Sequence, residues 1–143
     1  MLQSMLVKDY MVGDHLTFSP EDEVLHAIHA LLEHGLSGAP VTDHDGRLIG
    51  FLSEKDCLKV ALNASYFEQR AGLVKDYMSR DVISVKGDGS LIDAIETFVN
   101  RSFRCLPVVE GERLIGQISR RDILRGLEKL RASHKTTRTR GHV

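Results

Sequence analysis

The sequence predicts an α/β fold made of two tandem β-α-β-β-α units, and two internal correspondences carry that reading. The hexapeptide Leu-Val-Lys-Asp-Tyr-Met occurs twice, at 6–11 and 73–78. The same shift of 67 positions lays Val24, Leu25, Ile28, Leu31 and Leu32 on Leu91, Ile92, Ile95, Phe98 and Val99. Self-similarity at one period marks a duplicated unit, and the stripe has the spacing of an amphipathic helix. Beyond the helix the shift carries Pro40 and Val41 onto Pro107 and Val108, then drops to 66. Residues 47–50 (RLIG) then meet 113–116, Ser53 meets Ser119, and Asp56 meets Asp122.

The dropped residue falls at a hairpin tip. Asp45-Gly46, a dipeptide favoured in tight turns, lies between apolar runs at 39–41 and 48–52, and Glu110, Gly111 and Glu112 take its place in the second copy. Each unit therefore reads as a short strand (Leu16 to Phe18; Ile83 to Val85), a helix, a two-stranded hairpin and a second helix. In the first copy Ser19 is expected to cap the helix, with Pro20 at its first position and Glu21, Asp22 and Glu23 complementing its positive end. Gly35 is expected to end it in a left-handed conformation. Gly87, Asp88 and Gly89 replace Pro20, Glu21 and Asp22 in the second copy, which predicts a looser helix start. The chain divides into repeat 1 (1–62), a linker (63–72), repeat 2 (73–130) and a basic tail (131–143) expected to be disordered. Units of this size bury too little surface alone, so the copies should pack face to face, with function in the groove between them.

Composition removes several classes. A formal net charge of -1 gives no global pull toward nucleic acid or membrane. No basic segment followed by an apolar stretch opens the chain and no apolar run is long enough to span a bilayer, so a cytoplasmic protein is expected. Cys57 and Cys105 lack the spacing of a disulfide framework or zinc site and read as reduced, packed thiols. His26, His29, His34 and His44 have no carboxylate pattern of a metal site and are expected to face solvent or a cleft. No metal and no catalytic cofactor is expected.

With the repeated VKDYM, the Pro-Val strand and Gly-x-hydrophobic-Ser-x-x-Asp all in register, the chain from about 6 to 130 resembles a tandem pair of CBS domains, a Bateman module of the stand-alone bacterial type. The resemblance implies a pseudo-twofold disc of two repeats that often dimerises and binds AMP, ADP, ATP or S-adenosylmethionine in the clefts between repeats. It also implies roles for residues. Asp56 and Asp122 would hold ribose hydroxyls, and Ser53 and Ser119 would lie near phosphate. Leu36, Ser37, Gly38, Ala39 and Pro40, with Phe103, Arg104, Cys105, Leu106 and Pro107, would line base pockets. Thr17 and Ser84 would approach the base.

The residues support that chemistry directly. A carboxylate has two acceptor oxygens and can take both hydroxyls of a ribose diol, and a helix N-terminus suits phosphate. Gly50 and Gly116, three residues before each Ser, would leave the approach open. The same Ser-x-x-Asp spacing also describes a capping box, and the two roles can coexist. Arg101, Arg104, Arg120 and Arg121 surround the second motif, whereas Lys55 and His34 accompany the first, so the Asp122 site is expected to hold polyphosphate more strongly.

These features describe a regulatory binding module with no catalytic residues, since neither a G-x-S-x-G elbow nor a P-loop nor HExxH is present. Its partners would be an adenosine-containing small molecule, a second copy of itself and a regulated protein supplied separately. The alternative is an interaction or dimerisation domain with empty clefts. The basic tail, with Arg131, Lys135, Arg138 and Arg140, lacks the aromatic residues and folded reader of a nucleic-acid binder.

Overall fold

The structure, a computed structural model, describes the backbone of residues 4–63 and 71–142 and the side chains of these as far as Ala132. Of the expected linker, residues 64–70 lie outside the described residues. In chain order the elements are α1 (Val24–His34), β1 (Gly38–Thr42), β2 (Leu48–Ser53), α2 (Glu54–Leu62), α3 (Val74–Tyr77), β3 (Val85–Lys86), α4 (Leu91–Asn100), β4 (Cys105–Glu110), β5 (Arg113–Ser119) and α5 (Arg120–His142). Both expected hairpins form: β1 pairs antiparallel with β2, and β4 with β5. β3 adds to β4 in parallel. In the first copy the expected strand 16–18 contributes one parallel bridge, Phe18 to Val41. Gly35 closes α1 at φ 63°, as expected.

Two hydrophobic cores result, and each borrows from the other repeat. Val74 and Met78, from the second LVKDYM, pack with Phe18, Ala27, Leu31, Ala39, Val41 and Leu52 of the first repeat. Val7, from the first LVKDYM, packs with Val85, Leu91, Ala94, Phe98, Leu106, Val108, Ile118 and Ile123 of the second. Val7 and Val74 are both fully buried.

This exchange explains where the expected helix starts were wrong. The carbonyls of Pro20 and Asp22 accept the backbone N–H groups of Lys75 and Val74, at 3.1 and 2.8 Å. Residues 19–22 therefore form a turn, closed by the Ser19 N–H on the Asp22 carboxylate at 2.8 Å, and α1 begins only at Val24. Gly87 and Gly89 likewise accept from Lys8 and Val7 at 2.9 and 3.0 Å. The start of α4 is not loosened there, because the Ser90 hydroxyl caps it, accepting from the Ile92 N–H at 3.1 Å.

The same docking gives Gly50 and Gly116 a role other than leaving a ligand approach open. A Cβ on Gly50 would stand 2.6 Å from Met78 Sδ and 3.0 Å from the Ser79 carbonyl oxygen. On Gly116 it would stand 2.7 Å from both Met11 Sδ and the Val12 carbonyl oxygen. These glycines admit the methionine of the exchanged segment.

At the far end of the sheets the hairpin tips meet, with the Leu48 N–H on the Glu112 carbonyl at 2.9 Å and the Leu114 N–H on the Gly46 carbonyl at 3.0 Å. Beside the first tip, the Asp43 carboxyl is held below its usual range, chiefly by accepting the Arg47 backbone N–H. α5 continues to His142, across the segment expected to be disordered. That segment lacks an apolar stripe, but it contains no proline and its Arg, Lys and Ala residues favour helix.

Candidate functional site

Because side chains alternate along a strand, the register that buries Ile118 turns Gln117 and Ser119 to the opposite face, and the register that buries Leu52 does the same for Phe51 and Ser53. Each Ser then starts a helix. Two clefts open at these points, one built on Asp122 and one on Asp56.

The Asp122 cleft has a volume of about 690 Å3. Its walls combine both repeats: residues 12 and 14–16 with 34–38 from the first, and Arg104, Cys105, Gln117, Ser119, Arg120, Arg121 and Asp122 from the second. The Asp56 cleft is smaller, about 280 Å3, and is the pseudo-symmetric counterpart. Phe51, Ser53 and Asp56 face Ser79, residues 81–83, Phe103, Cys105, Leu106 and Pro107. Cys105 belongs to both walls.

Both Ser-x-x-Asp motifs form capping boxes. Asp56 Oδ2 accepts the Ser53 N–H at 2.9 Å while Ser53 Oγ accepts the Asp56 N–H at 3.1 Å. Asp122 and Ser119 repeat the pattern at 2.8 and 3.1 Å. The remaining carboxylate oxygens face cations, Asp122 Oδ1 lying 3.1 Å from Arg125 and Asp56 Oδ1 3.7 Å from Lys59. Capping leaves acceptor lone pairs on both oxygens, so it does not exhaust either carboxylate. The helix amides offer less to an anion than expected. The Glu54 N–H is taken by the Ser37 carbonyl at 2.9 Å, and the Arg120 N–H points to the Arg104 carbonyl at 3.4 Å. Positive charge at the Asp122 cleft therefore comes from side chains. Arg104, Arg120 and Arg121 are exposed on its wall and have no carboxylate partner among the described residues.

Of the candidate residues, Ser37, Gly38, Arg104, Cys105, Ser119, Arg120, Arg121 and Asp122 converge on one cleft, and Ser53, Asp56, Cys105, Leu106 and Pro107 on the other. Five others line neither. Ala39 is turned into the core, Pro40 is buried opposite Phe51 on the other face of the hairpin, Thr17 is exposed, and Lys55 stands exposed on α2. Ser84 lies instead in a separate groove with Arg47, Arg80 and Glu112. His34 lines the Asp122 cleft, while His26 and His29 face solvent beside Glu23 and Glu33. Among the described residues no three His, Cys, Asp or Glu side chains are grouped to hold a metal, and no helix is long and apolar enough to cross a membrane.

Among the wall residues that sequence reasoning missed are His15 and Gln117. The Cys105 thiol is kept protonated by burial, reinforced by the nearby Asp122 charge, with its pKa pushed up to about 12. Its S–H donates to Gln117 Oε1 at 2.9 Å. Gln117 Nε2 and His15 Nε2 are buried with no hydrogen-bond partner among the described residues. A signal for both was present in the internal alignment, which sets His15 against Val82 and Gln117 against Phe51.

Comparison with known proteins agrees with this architecture. The family model described as CBS domain matches twice, over residues 7–63 and 74–129. Inosine-5'-monophosphate dehydrogenase of Methanocaldococcus jannaschii is 34% identical over 118 residues, 82% of this chain but 22% of that protein. An uncharacterized 17.7 kDa protein of Acidianus ambivalens is 32% identical, the match taking 87% of this chain and 71% of that one. The chain thus spans about a fifth of the dehydrogenase, and 41% of another relative, the M. jannaschii protein MJ1225. Among solved structures, CBSX2 of Arabidopsis thaliana in complex with AMP superimposes with a TM-score of 0.78 at 27% identity, over 88% of this chain and 98% of that one. AcuB of Vibrio cholerae has the same fold, with a TM-score of 0.81 at 23% identity over 92% and 96% of the two chains. With two matched repeats, exchanged LVKDYM segments and a cleft at each Ser-x-x-Asp, this chain belongs to the CBS domain family, as a tandem pair.

Proposed function

We propose that the chain is a regulatory, non-catalytic module that binds an adenosine-containing ligand, AMP, ADP, ATP or S-adenosylmethionine, chiefly in the Asp122 cleft. The observation that carries this reading is the grouping of three arginines, without a carboxylate partner among the described residues, with a carboxylate at the wall of a cleft of about 690 Å3. The arginines suit the phosphates or carboxylate of such a ligand, and the Asp122 carboxylate suits a ribose diol. AMP bound to CBSX2, a relative of the same fold, adds support. Occupancy would bias the packing of the two repeats, or of two chains, and a separate regulated protein would read the change. A cytoplasmic setting fits this role.

A homodimer forms part of the reading. Leu32, Leu58, Leu62, Val99 and Leu124 are 62–85% exposed on α1, α2, α4 and α5, apolar side chains suited to a second copy. They also favour the second reading, a dimerisation domain whose clefts stay empty. A thermal-shift screen with AMP, ADP, ATP, GTP, NAD and S-adenosylmethionine separates the two, because a ligand that binds only the folded state raises the melting temperature. The sensor reading expects a rise with adenosine ligands, and no rise with any of them favours the dimerisation domain.

A further inference from the structure

In the Asp122 cleft two polar atoms have been taken out of water without a partner among the described residues, Gln117 Nε2 and His15 Nε2. Gln117 is 8% exposed. An unpartnered buried polar group is costly, and its cost is recovered only when something supplies the missing hydrogen bond. The chemistry of each atom is set by its neighbours. The protonated Cys105 thiol donates to Gln117 Oε1, so the carboxamide presents its NH2 group as the unused donor. His15 Nδ1 lies 2.9 Å from the Gly13 carbonyl oxygen. A carbonyl can only accept, so Nδ1 carries the hydrogen and the neutral ring offers Nε2 as an acceptor.

We infer that Gln117 and His15 form a donor–acceptor pair that reads the edge of a 6-aminopurine ring, Gln117 donating to a ring nitrogen and His15 accepting from the exocyclic amine. The inference rests on the adenosine reading of this cleft and assigns its base specificity. The other cleft provides the contrast. The positions equivalent to His15 and Gln117 are Val82 and Phe51, both on the wall of the Asp56 cleft and neither able to make such a bond. Cys105 is a positioning residue here, acting through the Gln117 carboxamide.

Titration calorimetry on the full chain tests the pair with two probes, AMP and purine riboside 5′-monophosphate, which lacks the exocyclic amine. Gln117→Leu should weaken both by about tenfold, the scale of one buried hydrogen bond. His15→Leu should weaken AMP by about tenfold and leave the deaminated analogue within about twofold. The unliganded Gln117→Leu chain should melt within a few degrees of wild type, since the weak thiol hydrogen bond it loses is offset by removal of a buried NH2 group without a partner, and Gln117→Met serves if that variant does not fold. AMP affinity unchanged in either variant would overturn the pair, as would equal weakening of both probes by His15→Leu. If wild type binds AMP and the variants bind it equally well, the pair alone fails. If wild type binds none of AMP, ADP, ATP and S-adenosylmethionine, the adenosine reading fails with it; if it binds another of these in place of AMP, that ligand and its analogue lacking the exocyclic amine are the two probes.

Discussion

At the wall of one cleft stand His15 and Gln117, and at the equivalent places of the other stand Val82 and Phe51. The difference extends to the neighbouring strands. Gly38 and Cys105 are equivalent positions, and each sits diagonally across its hairpin from Phe51 or Gln117. A Cβ on Gly38 would stand 2.6 Å from the Phe51 ring, so the glycine makes room for the aromatic side chain. Cys105 instead uses its thiol to hold a carboxamide. The charges diverge in the same way, with Arg104, Arg120 and Arg121 in one copy where the other has Ser37, Glu54 and Lys55. Duplication supplies two identical frames. A few coordinated side chains then make one frame roomy, polar and cationic, and the other small and apolar.

The largest effect should come from erasing this difference. The triple variant His15→Val/Cys105→Gly/Gln117→Phe gives these positions the residues of their equivalents in the other copy, Val82, Gly38 and Phe51. It removes two hydrogen bonds and fills space with a ring, so AMP affinity measured by calorimetry should fall by roughly a hundredfold. Retained affinity would mean that the charged rim alone determines binding.

A smaller effect separates the exchanged segments. Gly116→Ala places its methyl 2.7 Å from a backbone oxygen, and Gly50→Ala places its methyl 3.0 Å from the equivalent one. Overpacking of this kind costs about 1–3 kcal/mol. Thermal unfolding should therefore show both variants destabilised, Gly116→Ala the more. Equal melting temperatures for both variants and wild type would mean that the LVKDYM docking is looser than described.

Much of this architecture was legible in the sequence, because the period of the repeat and the period of each element leave direct marks. The stripe from Val24 to Leu32 gave α1 its existence, Gly35 its end, and Asp45-Gly46 the first hairpin tip. The exchange of Val7 and Val74 between cores left no such mark, since a boundary in a repeated sequence is not a boundary in packing. Residues 19–22 failed as a helix start for the same reason: their carbonyls are committed to a segment some 50 residues away, which local propensity cannot register. At the site, the Ser-x-x-Asp motifs were visible and fulfil the capping role they also suggested. Thr17, Ser84 and Lys55 were selected by type and position, and they stand outside both clefts, Thr17 and Lys55 exposed to solvent and Ser84 in a separate groove. His15 and Gln117 could have been found as the places where one copy is polar and the other apolar.

The central claim is that ligand binds mainly at Asp122. Titration of AMP into wild type, Asp56→Ala and Asp122→Ala, with thermal unfolding to confirm that each variant is folded, tests it most directly. A principal site should be retained in Asp56→Ala and lost in folded Asp122→Ala. Loss in Asp56→Ala with retention in Asp122→Ala would contradict it.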